Sequence, residues 1–205
     1  MIRVLPHYFI GEQCGIDQDW FPGFWMRIGG CGAVTACEIC IYLARFRGRR
    51  ELCPFDPKHI TRADALAFGE IMRPYLHPRV SGIDKTEIFM DGFRAYLASR
   101  GTALTMESLE GDARYAAAET AVRTRIDRGM HVAYLMLLHQ DKALDDYMWH
   151  WFVLNGYEYL LQIGVLHRIA ALGHAQDPAA HLIAAPVEED GGGDGVHIKM
   201  KVYRE

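Results

Sequence analysis

Residues 26–48 read MRIGGCGAVTACEICIYLARFRG, in which two glycines and a cysteine precede a run that is apolar almost all the way round. The polar residues of this run recur at helical spacing and form one narrow stripe: Thr35, Glu38, Tyr42 and Arg45. Every other face of a helix built from these residues would be apolar. We therefore predict a largely buried helix over residues 32–46.

Cys31 stands where this helix would begin. The positive end of a helix, with its free backbone N–H groups, stabilises a thiolate, so a reactive thiol with a depressed pKa is expected here. The glycines at 29, 30 and 32 would leave space for a substrate backbone, and the N–H of Cys31 could donate to a developing oxyanion. The alternative is a small core residue, because free cysteine is among the most buried residue types.

The composition predicts one globular domain spanning residues 1–205, with 50% hydrophobic and 23% charged residues. A net charge of -4 and a single local arginine cluster give no field that would attract nucleic acid or an anionic membrane. There is no secretory signal pattern and no apolar run of about 20 residues, so we expect a soluble, cytoplasmic protein. Five cysteines, an odd number, do not suggest a disulfide framework.

The order of predicted elements indicates an α+β fold. An aromatic-rich, irregular N-terminal arm over residues 1–30 precedes a helical half over 31–129 and an antiparallel sheet half over 130–205. Beyond the first helix, the predicted helices are 61–73, 84–101 and 114–128. The predicted strands are 131–138, 150–158, 160–169 and 196–203. The predicted loops are 139–149 and 173–195, whose Gly-Asp cluster at 190–195 is expected to be mobile.

His150 is the second candidate catalytic residue. It opens a predicted strand directly after a long polar loop, where a rigid element would hold an imidazole that acts as a general base. A hydrogen-bonded histidine at a strand end is the alternative interpretation. The combination of a glycine-flanked cysteine before a buried helix and a much later histidine that opens a strand ending in Gly-Tyr is the stronger signal.

The segments GGCGAVTACEICIYLAR and WHWFVLNGYE resemble the cysteine and histidine motifs of the papain-like cysteine peptidases, specifically the bacterial peptidase C39-like group. The arm that precedes the cysteine also resembles that of a set of uncharacterised bacterial proteins. The resemblance implies a papain-like (cysteine proteinase) fold, with a helical half packed on an antiparallel sheet. It also implies that Cys31 is the nucleophile and His150 its base.

The resemblance further implies a glutamine before the cysteine, which helps to form the oxyanion hole, and an Asp or Asn that orients the histidine. Gln18 is the candidate for the first role, provided that the aromatic arm loops back. For the second role, Asn155 is at an odd offset from His150 and is expected on the opposite face of the strand. The remaining candidates are Gln162, His167, Asp145 and Asp146.

Other patterns favour structural roles. Cys37 and Cys40 form a C-x-x-C within the predicted helix, without a second pair at zinc-finger spacing, so core packing is expected. The ten histidines are scattered without a metal-binding motif, and the GGGDG run at 191–195 lacks the Lys-Ser/Thr of a phosphate loop. We expect no metal and no cofactor.

The sequence thus predicts a cysteine peptidase, or an amide or thioester hydrolase, acting on a peptide or small acyl substrate through an acyl-enzyme intermediate. An acyltransferase would use the same dyad, and a non-catalytic papain-like protein would bind a ligand in the same cleft. A third alternative is an interaction protein that forms a homodimer, whose arm associates through Trp20 or Trp25 while Cys31 only packs. The aromatic run 20–25 is expected to cover the core or to line one wall of a substrate groove.

Overall fold

A computed structural model describes residues 2–110, 113–137, 148–160, 165–172, 182–184 and 198–204. These ranges form a mixed α+β structure of five α-helices and an antiparallel sheet. The helices are α1 Phe24–Gly29, α2 Cys31–Phe46, α3 Arg62–Met72, α4 Thr86–Ser99 and α5 Tyr115–Asp127. The predicted fold class, α+β with an antiparallel sheet, is confirmed.

The main sheet has the strand order β4-β9-β5-β6-β7-β8, and β1 pairs with β6 beside this path. Every pair of neighbouring strands among those described is antiparallel. The strands are β1 Ile2–Val4, β2 Phe9–Ile10, β3 Gln13–Cys14, β4 Thr105–Leu109, β5 Val132–Met136, β6 His150–Leu160, β7 Val165–Leu172, β8 Leu182–Ala184 and β9 Ile198–Arg204. Strands β2 and β3 form a separate short hairpin.

Helix α2 is the centre of the core, as its apolar pattern predicts. Every residue from Cys31 to Ala44 is buried, and the helix packs against β6 and α3. Burial of nearly all faces requires neighbours on all sides, which the sheet, the other helices and the N-terminal arm provide. The predicted helix 32–46 is confirmed, with its first residue at Cys31.

The other predicted helices are confirmed within one turn of their ends. Thr61 caps α3, because its hydroxyl accepts the backbone N–H of Asp64 while the Asp64 carboxylate accepts the N–H of Thr61. Helix α4 begins at Thr86, two residues later than predicted. Gly101 follows its end with a φ of 69°, a left-handed conformation that glycine adopts readily.

The N-terminal arm is more regular than predicted. Ile2–Val4 pairs with β6 opposite Gly156, Tyr157 and Glu158, beyond the point where β5 stops pairing at Leu154. The arm therefore pairs with the edge of β6 that β5 leaves open. The hydrogen bonds are made by backbone groups, so the side-chain pattern of the sequence does not indicate this pairing. The sequence prediction also missed α1, Phe24–Gly29, which lies within the predicted arm.

Two strands lie where the sequence predicted helix or loop. Strand β4 falls inside the predicted helical half and pairs with β9, and β8 falls inside the predicted loop 173–195. The predicted strand 160–169 corresponds to the end of β6 and most of β7. Residues 139–147 of one predicted loop and the Gly-Asp cluster at 190–195 lie outside the described residues. No helix in the described ranges has the length and apolar character needed to span a bilayer.

Candidate functional site

Cys31 is the first residue of α2 and is only 3% exposed. The backbone N–H of Trp151, the second residue of β6, acts on its sulfur and favours the thiolate, and the N–H groups of Gly32 and of Cys31 itself act in the same direction. These last two groups belong to the first turn of the helix, whose N–H groups have no partner within the helix. The helix N-terminus therefore acts on the thiol in the way the sequence predicts.

Burial nevertheless raises the pKa of the Cys31 thiol, against the lowering effect of the three backbone N–H groups. The predicted depressed pKa is therefore not found in this closed arrangement. The physical reason is the loss of water, because a thiolate removed from solvent loses more solvation than three backbone dipoles return. The neutral thiol is the favoured form when the site is covered.

His150 is half-buried and opens β6 opposite Met136 of β5. The residue before it, Trp149, has a φ of 57°, an uncommon conformation for a side chain of this size. The imidazole lies over Phe152, with the ring centroids 6.4 Å apart and the planes at 21°. His150 and Phe152 therefore leave the strand on the same face.

Trp151 leaves β6 on the opposite face and anchors the start of the strand. Its indole stacks on Phe89 of α4 at 4.4 Å between centroids and donates to the carbonyl of Ile83 at 2.5 Å. Among the described strands, β7 pairs with β6 only from Val153 onward, so the edge of β6 at Trp151 is open to Cys31. The structure thus places the Cys31 thiol beside the first residues of β6. The strand begins at His150, and the thiol lies beside the backbone of the next residue, Trp151.

The glycines around Cys31 serve close packing rather than substrate access, which corrects the sequence interpretation. A Cβ on Gly29 would lie 2.6 Å from the carbonyl oxygen of Arg79, and one on Gly30 would collide with the carbonyl of Met26. A Cβ on Gly32 would lie 3.0 Å from a methyl carbon of Ile83. All three positions are filled by neighbouring atoms of the same chain.

Gln18 lies in a short 3-10 helix, Gln18–Trp20, and its side chain is buried. Its Nε2 donates to the carbonyl of Arg27 in α1 at 2.8 Å, and its Oε1 has no partner among the described residues. The arm does loop back towards the segment that leads into Cys31. The amide, however, uses a donor to hold α1, four residues before the thiol.

The third catalytic residue stays unassigned. Strand β6 carries a bulge at Asn155, since Leu154 pairs with Ala171 and Gly156 with Ala170 of β7. A bulge interrupts the alternation of faces, so the odd-offset argument for Asn155 does not extend through this position. Asp145, Asp146 and Gln162 lie outside the described residues, and the described backbone places His167 in β7.

Cys37 and Cys40 are 0% exposed in the middle of α2, which confirms the predicted core packing. Burial raises the pKa of both thiols well above their ordinary value. Within the described ranges, no three His, Cys, Asp or Glu side chains form a group that could hold a metal ion.

The aromatic run 20–25 divides between the core and the surface. Phe21 is 1% exposed, while Phe24 and Trp25 are 59% and 51% exposed on α1. The half-buried Trp20 lies under the guanidinium of Arg62, at 5.0 Å from its ring centroid. Core cover therefore holds for Phe21 and in part for Trp20, which packs against the core, and it does not hold for Phe24 and Trp25.

The approach of the Trp151 N–H to the thiol could not be predicted from the sequence, because any residue other than proline carries a backbone N–H. A scan against protein-family models, a search of curated proteins and a search of solved structures each found no match.

Proposed function

We propose that this chain is a papain-like cysteine hydrolase that cleaves an amide or thioester bond through an acyl-enzyme intermediate on Cys31, with His150 as the general base. Peptidase, amidase and thioesterase reactions share this intermediate. Acyl transfer differs from them only in the acceptor, which is an amine or thiol in place of water.

The observation that carries the proposal is the contact between the Trp151 backbone N–H and the Cys31 sulfur, which lowers the pKa of the thiol against the effect of burial. It joins the N-terminus of a buried helix to the start of the strand that His150 opens, so the candidate nucleophile and base belong to two rigid elements that meet. Rigid support on helices and strands is what a catalytic pair requires.

In the proposed reaction, the imidazole takes the proton of Cys31 and the sulfur attacks the substrate carbonyl carbon. The oxyanion accepts the N–H of Cys31, the C–N or C–S bond of the substrate breaks, and the imidazolium returns the proton to the leaving group. Water, activated by the same imidazole, then hydrolyses the thioester. Because Cys31 is only 3% exposed, the substrate must displace part of the surface that covers the thiol.

The first test uses S-acetyl-N-acetylcysteamine, a small thioester, and follows the acetyl adduct on each cysteine by peptide mass spectrometry. We expect Cys31 to acylate faster than Cys14 and Cys53, and His150→Gln to slow this reaction by about 100-fold, the usual size of a general-base contribution. Cys31→Ser should abolish the adduct. Release of free thiol over many turnovers would show that the acyl-enzyme hydrolyses.

His59→Gln is the matched control, because His59 is exposed and far from Cys31. The adjacent residue, Lys58, accepts a hydrogen bond from Arg45 at the C-terminal end of α2, whereas Cys31 is the first residue of that helix. It should leave the rate at Cys31 unchanged. The proposal fails if Cys31 acylates no faster than Cys14, or if His150→Gln and His59→Gln have the same effect.

A non-catalytic papain-like protein is the second candidate. It is favoured by the burial of the thiol and by the packed glycines around it, which together keep Cys31 neutral and covered. In that case the same thioester would give slow labelling of Cys31, with no dependence on His150.

A further inference from the structure

Large apolar side chains are exposed on three segments near Cys31. They belong to α1, to the turn Arg79–Gly82 and to the residue before β6, and we call them the apolar rim. The rim consists of Phe24 (59% exposed), Trp25 (51%), Ile28 (59%), Val80 (91%) and Trp149 (50%). Phe24 and Trp25 contact each other edge to face, with ring centroids 5.5 Å apart.

Backbone contacts bring the three segments together around the first turn of α2. The end of α1, at Gly29, packs against the backbone of Arg79, whose carbonyl accepts the N–H of Gly82 at 2.9 Å. A Cβ on Gly82 would lie 3.9 Å from the carbonyl oxygen of Trp149. The next residue, Ile83, contacts Gly32 directly beside Cys31.

Three of these side chains, Phe24, Trp25 and Ile28, lie on one side of α1. The other side of the same helix faces the protein interior, where Met26 and Gly29 are buried. Helix α1 thus packs against the protein on one side and exposes apolar side chains on the other. Adjacent exposed apolar side chains on a folded surface are typical of a binding site, because their contact with water is unfavourable until a ligand covers them.

We propose that the apolar rim binds the acyl group of the substrate, so that this chain acts on carboxylic acid derivatives with a large apolar acyl chain. The inference rests on the proposed function, because the acyl carbon must bond to the Cys31 sulfur. The chain attached to that carbon must leave the site where the protein is not already packed. Helix α2 is buried along its length from Cys31 to Ala44, whereas the rim borders its first turn.

The test compares S-acetyl-, S-butanoyl-, S-hexanoyl- and S-octanoyl-N-acetylcysteamine. In each reaction the Cys31 sulfur forms a bond to the acyl carbon, the C–S bond of the probe breaks, and N-acetylcysteamine leaves with the proton. Each rate is divided by that of free N-acetylcysteine with the same probe. We expect the normalised rate at Cys31 to rise about threefold for each methylene that the rim buries.

Phe24→Ser is compared with Phe9→Ser, which removes an aromatic ring of similar exposure, 55%, from the β2–β3 hairpin. Phe24→Ser should lower the ratio of octanoyl to acetyl rates at Cys31 by about tenfold, the effect of losing contact with about two methylenes. Phe9→Ser should leave the ratio unchanged. Circular dichroism of both variants reports whether they fold.

Equal normalised rates for acetyl and octanoyl probes, with labelling of Cys31 that still depends on His150, would overturn this inference and leave the proposed function standing. Absence of acylation at Cys31 with every probe would overturn both. Size-exclusion chromatography over a dilution series gives a separate outcome. A dimer that Phe24→Ser dissociates, with no change in the rate ratio, would make the rim a self-association surface and would overturn the inference.

Discussion

Glu38 is a carboxylic acid buried in the third turn of α2, with 5% exposure. The Tyr8 hydroxyl donates to its Oε2 at 2.7 Å, and the backbone N–H of Ile16 donates to its Oε1. Burial raises the pKa of Glu38 from 4.5 to about 7, against the lowering effect of these two hydrogen bonds. This side chain therefore changes its charge near neutral pH while it holds the N-terminal arm against the central helix.

A carboxyl whose pKa is higher in the folded state holds its proton there at pH values where the unfolded chain has lost it. Its contribution to stability is fully present below pH 4.5 and is lost as the pH rises to about 7. The shift corresponds to about 3 kcal/mol over that window. Ionisation of Glu38 thus weakens the fold on the alkaline side.

We predict that Glu38→Gln abolishes this part of the pH dependence. The variant should be within about 1 kcal/mol of the original protein at pH 5, where both side chains are neutral, and more stable by about 2 kcal/mol at pH 8. Urea unfolding at both pH values measures the difference. Glu12→Gln, in the same arm but exposed, should leave the pH dependence unchanged; an equal change in both variants would contradict the prediction.

The junction between α1 and α2 depends on glycine. Gly30 is the last residue before α2 and bonds through its N–H to the carbonyl of Met26 at 3.0 Å, so the two helices follow each other without a linker. A Cβ at this position would collide with that same carbonyl. The position of Cys31 therefore depends on the absence of a side chain at the preceding residue.

We predict that Gly30→Ala lowers the free energy of unfolding by about 1–3 kcal/mol, the usual cost of a forced shift in a packed region. It should also increase the labelling rate of Cys31 by iodoacetamide, because the first turn of α2 must move. Gly23→Ala is the control, since a Cβ there meets no atom within 4 Å. Labelling of Cys31 that is the same in both variants would refute the prediction.

The elements that local sequence specifies were predictable. The capping residues Thr61 and Asp64 mark the start of α3. The narrow polar stripe of α2 predicts both that the segment is helical and that the helix is buried. Strand β4 was not, because Thr105–Leu109 is short and its partner, Ile198–Arg204, is distant in sequence. Pairing between such segments is decided by the whole sheet, and neither strand carries information about the other.

In the candidate site, too, the features set by a local segment were predictable, and those set by residues distant in sequence were not. The placement of Cys31 at a helix start and of His150 at a strand start could be read from the sequence, because each depends on its own segment. The pKa of the thiol could not, because it depends on how deeply the folded chain buries Cys31 and on the backbone N–H of Trp151, which comes from another part of the chain. Packing around the glycines was missed for the same reason.

At the scale of the whole molecule, the polar stripe of α2 fastens the helix to the arm and to the sheet. Tyr42 donates to the carbonyl of Gly129 at 2.8 Å and stacks on His131, with the ring centroids 3.7 Å apart. Burial, with a smaller effect of His7, lowers the pKa of His131 from 6.5 to about 3. Neither ring nitrogen of His131 has a hydrogen-bond partner among the described residues.

His131 and Glu38 therefore act on stability in opposite directions. A histidine whose pKa is lower in the folded state contributes stability above pH 6.5, and this contribution is lost as the pH falls towards 3. Glu38 loses its contribution as the pH rises from 4.5 to 7. Between pH 4.5 and 6.5 the two slopes oppose each other, so the combined contribution of these two groups changes little in this range.

We predict that His131→Phe, which keeps a ring against Tyr42 and removes the titrating group, eliminates the loss on the acid side. In the original protein this loss, about 2 kcal/mol at pH 5 relative to pH 8, is offset by a similar gain from Glu38, so the variant should be about 2 kcal/mol more stable at pH 5 than at pH 8. Urea unfolding at pH 5, 6.5 and 8 measures the slope, with the exposed His77→Phe as the control. Because the two side chains titrate in opposite senses, Glu38→Gln combined with His131→Phe should give a nearly flat profile, as in the original protein; a His131→Phe profile that is equally flat would contradict the prediction.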